Sequence, residues 1–330
     1  MNNKILTITV PSYNVEKFLE KTVLSFIDPE INDKIEVLIV NDGSKDNTLQ
    51  IAKELEKKYP GTVRTIDKPN GGHGSTINKG IEQATGKYFK VVDGDDWVDT
   101  NQFRQFVKAL ETVDEDIILT GFNEVDTEGN ITSVRSITSV KPNEQTTVDL
   151  AISTLGTMYA MHSITFKTEC LKGNVTISEK CFYVDQEYII LPLKFVNTLR
   201  VMDYIVYQYR LGDINQSVSV ANFQKNRNMH RKVVLNVLNY YENNEWSDNI
   251  NKFLETRICG LIMSQMNIYI SIGNSEAKKD LRSFIDQVKS ISPALYSKID
   301  SGSLRLMEKS FGIGFFISKL KRKITKNQSI

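Results

Sequence analysis

The sequence is poor in cysteine, in net charge and in long apolar runs, and each shortage removes a class of protein. Its three cysteines, Cys170, Cys181 and Cys259, are odd in number, and no two are spaced like metal ligands. That excludes a disulfide scaffold and suits a reducing compartment. The formal net charge is +1, so no overall field draws in nucleic acid. The most apolar late stretch, "ICGLIMSQMNIYISIG", is interrupted by Ser, Gln and Asn. It reads as a core helix, not a membrane span. The opening "MNNKILTITVPSYN" has no basic region leading into a long apolar run. No signal peptide is expected, and the expected location is the cytoplasm. No internal repeat or low-complexity block stands out. What remains is ordinary for a globular chain. The 330 residues are 40% hydrophobic and 25% charged, enough to bury one large or two modest cores.

The first half alternates. Apolar or β-rich runs at 5–10, 35–41, 63–67, 88–92 and 116–120 predict strands. Between them, 15–27, 47–59, 75–85 and 100–113 carry apolar residues at helical spacing. Such alternation predicts βαβ units and a parallel sheet, and "EVLIV" suits a strand covered on both faces. After Gly121 the rhythm changes. Residues 159–171 and 199–211 look like further strands, with a helix over 184–196 that Pro192 must end or kink. From about Asn222 onward the pattern is helical.

In an open α/β sheet, ligands bind at the C-terminal ends of the strands. Three polar clusters fall there: "PSYN", "NDGSKDNT" and "DGDDWVD". The last places Asp93, Asp95, Asp96 and Asp99 within seven residues. Two carboxylates about 5 Å apart repel by roughly 3 kcal/mol at an effective dielectric of about 20, so the cluster implies an incoming positive group. An EF-hand loop does not fit, because Trp97 and Val98 stand where a ligand and a glycine are needed. "GGHGSTIN" lacks the Gly-Lys-Ser/Thr ending of a phosphate loop, and no G-x-G-x-x-G follows a strand. What survives is a strand-end Asp-x-Asp, able to hold one hard divalent cation and leave room for phosphates. Taken alone, Asp42 is equally explained as part of a turn before a helix.

"VPSYNVEKFLEKTVLSF", "EVLIVNDGSKDNT", "NGGHGSTINKGIEQATGKYFKVVDGDDWVD" and, later, "FYVDQEY" resemble, in order and spacing, family 2 of the GT-A glycosyltransferases. These are inverting enzymes that use nucleotide-sugar donors. The resemblance spans about residues 4–220 and is absent from the last hundred. It implies an α/β GT-A fold: a Rossmann-like, mostly parallel sheet with helices on both faces. The helical pattern adds a C-terminal helical subdomain. The expected organisation is a nucleotide-sugar-binding half at 1–121, an acceptor-binding half at 122–221 and a helical region at 222–330. By resemblance, Pro11 and Tyr13 line the base pocket and Asp42 accepts a hydrogen bond from a base such as uracil. Asp93 lies against the ribose, and Asp95 binds Mg²⁺ or Mn²⁺ against the diphosphate. Asp96 and Asp99 hold the motif or cap the next helix. The resemblance makes Asp185 the base for the acceptor hydroxyl, with Glu187 as the backup; a plain helix cap is the other explanation of Asp185.

The sequence departs from the family pattern in several places. Where the family loop carries an Arg, this chain has Ile77, and His73-Gly74 stands within the loop. His73, or backbone amides around Gly72 at the helix start, are the substitutes; a solvent-facing His is the plain alternative. The Glu before the base is Val184. The Arg-Trp motif of processive members is absent, and its region reads "YQYRLGDINQSVS". There Arg210 reaches toward the diphosphate or is an ordinary edge-strand Arg, and Ser217 or Ser219 belongs to a closing loop. His162 contacts the acceptor or is a core His. Phe182, Tyr183 and Tyr188 stack on a sugar or pack. The expected partners are a nucleotide-sugar, a UDP-sugar first, and a glycan or lipid-linked acceptor. A homo-oligomer is left open. The rivals are a non-catalytic nucleotide- or sugar-binding module and a nucleotidyltransferase.

From Ser303 on, seven Lys or Arg stand against one acid, a charge of about +6, interleaved with Leu, Met, Phe and Ile. That pattern suits an anionic membrane interface at the inner face of the cell membrane. A solvated basic end or a helix docking on a second subunit are the alternatives. The full chain is expected to float with anionic liposomes and a chain lacking residues 303–330 to stay behind; equal flotation removes the membrane reading.

Overall fold

The computed structural model describes residues 4–212 and 220–299. Ser217, Ser219 and the basic tail therefore lie outside the described residues. The chain divides into two compact units, Met1–Ile214 with Ser247–Ile250, and Asn215–Trp246 with Asn251–Ile330.

The first unit is built on one sheet. Its strands and helices run β1 (Leu6–Ser12), α1 (Leu19–Leu24), β2 (Ile35–Asn41), α2 (Thr48–Lys58), β3 (Val63–Asp67), α3 (His73–Gln83), β4 (Tyr88–Val91), β5 (Trp97–Val98) and α4 (Thr100–Leu110). They continue with β6 (Ile117–Val125), β7 (Ile131–Arg135), β8 (Gln145–Thr147), α5 (Val148–Leu155), β9 (Ile164–Lys167), α6 (Thr168–Leu171), α7 (Asp185–Ile190) and β10 (Thr198–Arg210). The sheet order is β3-β2-β1-β4-β9-β6-β10-β5, with β7 on β6 and β8 on β10. The parallel pairing expected from the alternation holds across β3, β2, β1 and β4. β9 then enters antiparallel to both β4 and β6, and β6 pairs in parallel with β10. All seven residues of β1 and of β2 are buried, as strands covered on both faces require.

Two predicted elements are shorter than their periodicity suggests. Only Leu19–Leu24 of 15–27 is helical. Before it, Asn14 has φ 54°, and the amides of Asn14, Val15 and Glu16 donate to Ser44 Oγ, Thr48 Oγ1 and Asp46 Oδ2. Side chains of the loop after β2 and of the first residue of α2 thus take amides that a longer helix would leave at its start. Within 159–171 only Ile164–Lys167 is strand. Ser163 Oγ donates to the carbonyls of Met158 and Ala160 and closes a turn just before it. Pro192 ends α7 as expected, opening a 3-10 turn over Leu191–Phe195.

The second unit is helical: α8 (Val220–Lys225), α9 (Arg227–Glu242), α10 (Asp248–Ile272), α11 (Ser275–Ile291) and α12 (Pro293–Lys298). Val233, Val237, Leu254, Ile258 and Phe284 are buried in it. Its buried His230 is paired with Gln265 at 2.7 Å. No helix among the described residues is long and apolar enough to cross a membrane.

One charged side chain lies wholly inside the sheet layer. Lys90 on β4 is 0% exposed. Its Nζ donates to the carbonyls of His162 (2.9 Å) and Ile164 (3.2 Å) and faces the Tyr207 ring. These contacts tie β4 to the entry of β9. With no carboxylate among the described residues hydrogen-bonded to it, burial pushes the ammonium down to about 7, from about 10.4 in an unfolded chain. Its contribution to stability is therefore full above about pH 10 and lost as pH falls through about 7. Urea denaturation should show the wild type gaining about 1–3 kcal/mol between pH 7 and 9.5 relative to Lys90→Met. Parallel pH profiles for the two proteins would overturn this.

Candidate active site

β1, β2 and β4 are parallel neighbours and end on one edge. Two antiparallel steps through β9 return β6 to the β4 direction, and β10 follows β6. The C-terminal end of β10 is thus on the same edge. Pro11, Asp42, Asp93, Asp95 and Arg210 all come from these strand ends. Pro11 is buried opposite Val40. Tyr13, just past β1, is 47% exposed. The loop carrying it is fastened on its far side, where Lys45 N donates to Asn14 Oδ1 at 2.8 Å.

Asp42 is 2% exposed and shapes the next loop. Its Oδ1 accepts from Lys68 Nζ (2.6 Å) and Gly71 N (2.8 Å), and its Oδ2 accepts from Gly72 N (2.8 Å). Oδ2 thus has one lone pair beyond these bonds. Gly72 caps α3 with φ 81°, a conformation that costs a side-chain-bearing residue. The helix begins two residues earlier than its sequence pattern suggests, so His73 is its first residue rather than part of a loop.

The four acids after β4 have four different fates. Asp99 caps α4, accepting from Gln102 N at 2.9 Å. Asp96, 2% exposed, accepts from Tyr207 Oη (2.6 Å) and Arg210 N (2.8 Å) and so locks the motif to β10. Burial raises its pKa well above the usual carboxylate range, and Asp95 and Asp93 add to the rise. Asp93 pairs with His73 Nε2 at 2.7 Å. Burial opposes its ionisation, but His73 outweighs that and holds Asp93 low. For His73, burial likewise opposes the charge, and Asp93, then Asp185 and Asp95, outweigh it, so its pKa is raised. Asp95 is half-buried, and its carboxylate makes no hydrogen bond to another described side chain. Burial first, then Asp93, pushes it up to about 6. Arg210 donates from Nε to the Asp95 carbonyl at 3.0 Å and lies over the Phe18 and Trp97 rings. Lys21 sits 3.3 Å from the Trp97 ring centre.

Asp185 opens α7, half-buried, within electrostatic reach of His73 and of Tyr209. Glu187 is 2% exposed. Its carboxylate accepts from Ser178 N (2.6 Å) and Ser178 Oγ (2.8 Å). His162 is half-buried in a group of rings, stacked on Tyr209 at 3.9 Å and edge-on to Tyr207 at 4.9 Å. Burial lowers its pKa to about 4, so it is neutral at pH 7. Tyr188 is buried against Phe166, whereas Phe182 is 44% exposed.

A glycosyl transferase family 2 profile matches residues 7–172, just over half of the chain. The chain belongs to glycosyl transferase family 2. Among curated relatives, the uncharacterized glycosyltransferase EpsJ of Bacillus subtilis is 38% identical over 118 residues, 36% of this chain and 34% of EpsJ. The minor teichoic acid biosynthesis protein GgaB of the same organism is 34% identical over 110 residues, 33% of this chain and 12% of GgaB. The chain thus matches only about a third, or less, of these relatives' lengths. Among solved structures, S. aureus TarS 1–349 in complex with UDP-GlcNAc superposes with a TM-score of 0.66 at 18% identity. That match covers 98% of this chain and 92% of TarS 1–349. The likeness establishes a GT-A fold for this family 2 chain.

Sequence reasoning missed Lys68 on Asp42, Tyr207 on Asp96 and Tyr209 on His162. The only signal for the tyrosines was the alternation in "YQY", which puts both on one face of β10. The acid group yields two substitutions of opposite sign in metal-free buffer at pH 7. Asp95 has a raised folded pKa, so its ionisation costs stability as pH rises from about 4 to about 6. Asp95→Asn removes that cost and should stabilise by about 1–2 kcal/mol. Tyr207→Phe strips a donor from buried Asp96 and should destabilise by about 1–3 kcal/mol. Thermal unfolding of the pair decides, and a lower Tm for Asp95→Asn contradicts the reading of this site.

Proposed function

We propose that this family 2 chain is a metal-dependent, inverting glycosyltransferase. It moves a sugar from a UDP-sugar to a hydroxyl of a cell-surface glycan or lipid-linked acceptor, at the inner face of the membrane. The observation that carries the reading is Asp95, a half-buried carboxylate with a raised pKa and, among the described residues, no hydrogen-bonded cation, beside the opening turn of α3. Its surroundings suit a hard divalent ion. Among the described residues no three His, Cys, Asp or Glu side chains gather to hold a metal. One or two carboxylates completed by a diphosphate is the mode Mg²⁺ or Mn²⁺ adopts with phosphate substrates. Asp95 would hold such an ion, which when bound offsets charge on the departing diphosphate. The UDP-GlcNAc complex of TarS supports uridine as the nucleoside, and the name of GgaB supports a cell-surface polymer as the acceptor.

The chain's own residues divide the remaining work. Pro11 and the exposed Tyr13 ring line the base pocket. Asp42 holds Gly71 and Gly72 in place and offers the remaining lone pair of Oδ2 to a base N–H. His73 and the first amides of α3 present positive charge toward the phosphates, with Arg210 across the acid group. Asp185 takes the proton of the acceptor hydroxyl. The hydroxyl oxygen bonds to the anomeric carbon from behind, and the bond to the diphosphate breaks with its electron pair. Glu187 is committed to Ser178, which leaves Asp185 as the base. His162 and Tyr209 offer a stacked apolar face to a sugar ring.

The test begins with UDP-, GDP- and dTDP-sugars, scored by metal-dependent release of nucleotide. Calorimetry should show tighter UDP binding with Mn²⁺ in the wild type and no such gain in Asp95→Ala. Asp185→Asn should keep UDP affinity within about two-fold and lose about 10²–10⁴ in turnover. UDP binding without turnover of any sugar nucleotide would make the chain a binding module. Pyrophosphate release from a nucleoside triphosphate would make it a nucleotidyltransferase.

A further inference from the structure

The segment between α6 and α7 contains little regular structure, yet residues 177–180 are held from two sides. Asn78, on the second turn of α3, faces the backbone of Ile177. Its Nδ2 donates to Ile177 O and its Oδ1 accepts from Ile177 N, both at 2.8 Å. One side-chain amide thus makes both bonds that a neighbouring strand would make. One residue on, a Cβ at Gly74 would come within 2.1 Å of Ser178 O, so the first turn of α3 touches this backbone directly. Lys180 N donates to Gly71 O at 2.5 Å. From the other side, Glu187 on α7 holds Ser178 through its amide and its hydroxyl. Within the clamped stretch and just after it, Lys180 and Tyr183 sit at positive φ, 52° and 67°. For a residue as bulky as Tyr that conformation is an outlier, maintained only where the surroundings over-determine it.

We propose that Asn78 and Glu187 are positioning residues for transfer, clamping residues 177–181 between α3 and α7 and so setting where Asp185 stands relative to the loop that carries Gly71, Gly72 and His73. The inference rests on the glycosyltransferase reading above and adds a physical link to it. The loop that Asp42 shapes and the helix that carries the base are joined through one short piece of backbone. A base displaced by about 1 Å loses turnover by about 100-fold while distant binding contacts survive.

The experiment uses the full chain, with UDP as the binding probe and release of UDP from the most reactive UDP-sugar of the screen as turnover. Asn78→Ala and Glu187→Ala should each lower kcat about 10- to 100-fold, with UDP affinity in Mn²⁺ and the donor KM changed by less than about two-fold. Glu187→Gln, whose amide accepts from Ser178 N and donates to Ser178 Oγ, should recover most of the loss. Because both residues act through one segment, the double alanine variant should lose no more than the worse single variant. Near-wild-type kcat in both alanine variants overturns the inference. So do multiplying losses in the double variant, or UDP affinity falling in step with kcat. Should Asn78→Ala fail to fold, the Glu187→Gln and Glu187→Ala pair carries the same test. A wild type that binds no UDP overturns both readings, whereas active wild type with fully active alanine variants overturns this one alone.

Discussion

Four carboxyl groups within seven residues cannot all ionise at one sheet edge without countercharge, and much of the surrounding architecture answers that constraint. The solutions are local and distinct. Asp99 is turned outward to cap α4. Asp96 is buried but receives a tyrosine hydroxyl and a main-chain amide. Asp93 is given His73. Asp95, like Asp96, has burial and a like-charged neighbour against it, but its carboxylate receives no hydrogen bond from another described side chain. Burial and mutual repulsion raise both Asp95 and Asp96, and of the two only Asp95 has a carboxylate without a hydrogen-bonded side-chain partner among the described residues. That residue is where a ligand's positive charge gains most, because the protein has already accepted the desolvation.

The second constraint is the start of α3. Gly71 and Gly72 donate their amides to Asp42. The next residue, His73, reaches Asp93, and Gly71 O accepts from Lys180. Three chain segments far apart in sequence are thus assembled on four consecutive residues, 71–74. Side chains are the obstacle to such an assembly. Gly72 has a left-handed φ, and Gly74 lies too close to Ser178 O for a Cβ. The glycines let backbones approach, and the approach allows a strand-end acid, a helix start and the loop before α7 to share one small volume.

The parallel half of the sheet was legible because strands buried on both faces leave continuous apolar runs, and "IEVLIVN" is the strand Ile35–Asn41 without adjustment. Periodicity failed where a hydrogen bond, not burial, decides the backbone. Apolar spacing over 15–27 could not reveal that Ser44, Asp46 and Thr48 take the first amides. The alternation over 159–163 could not reveal the Ser163 turn. The strand-end acids and Asp185 were visible from motifs. Their supports were not, because each is a pairing across the chain. Lys68 and Asp42 are 26 residues apart, Asn78 and Ile177 are 99 apart, and Tyr207 and Asp96 are 111 apart. A single sequence contains no record of which distant side chain supplies a particular bond.

Two of the departures from the family pattern have a common geometric form. Ile77 stands where an Arg is usual, and it is 0% exposed, part of the core under α3. His73 lies four residues earlier, one turn toward the helix start and on the same face, where its charge is held up by Asp93. Val184 stands where a Glu is usual, and it too is 0% exposed. Glu187 lies three residues later, again one turn along the same face, with its carboxylate spent on Ser178. In both places an apolar residue has taken the core-facing position and a polar one appears a helical turn away. Moving a cation toward the start of α3 places it among the acids and against the helix dipole, so it must be held by a carboxylate to remain charged. That requirement explains why Asp93 is bound to a histidine rather than left open beside Asp95.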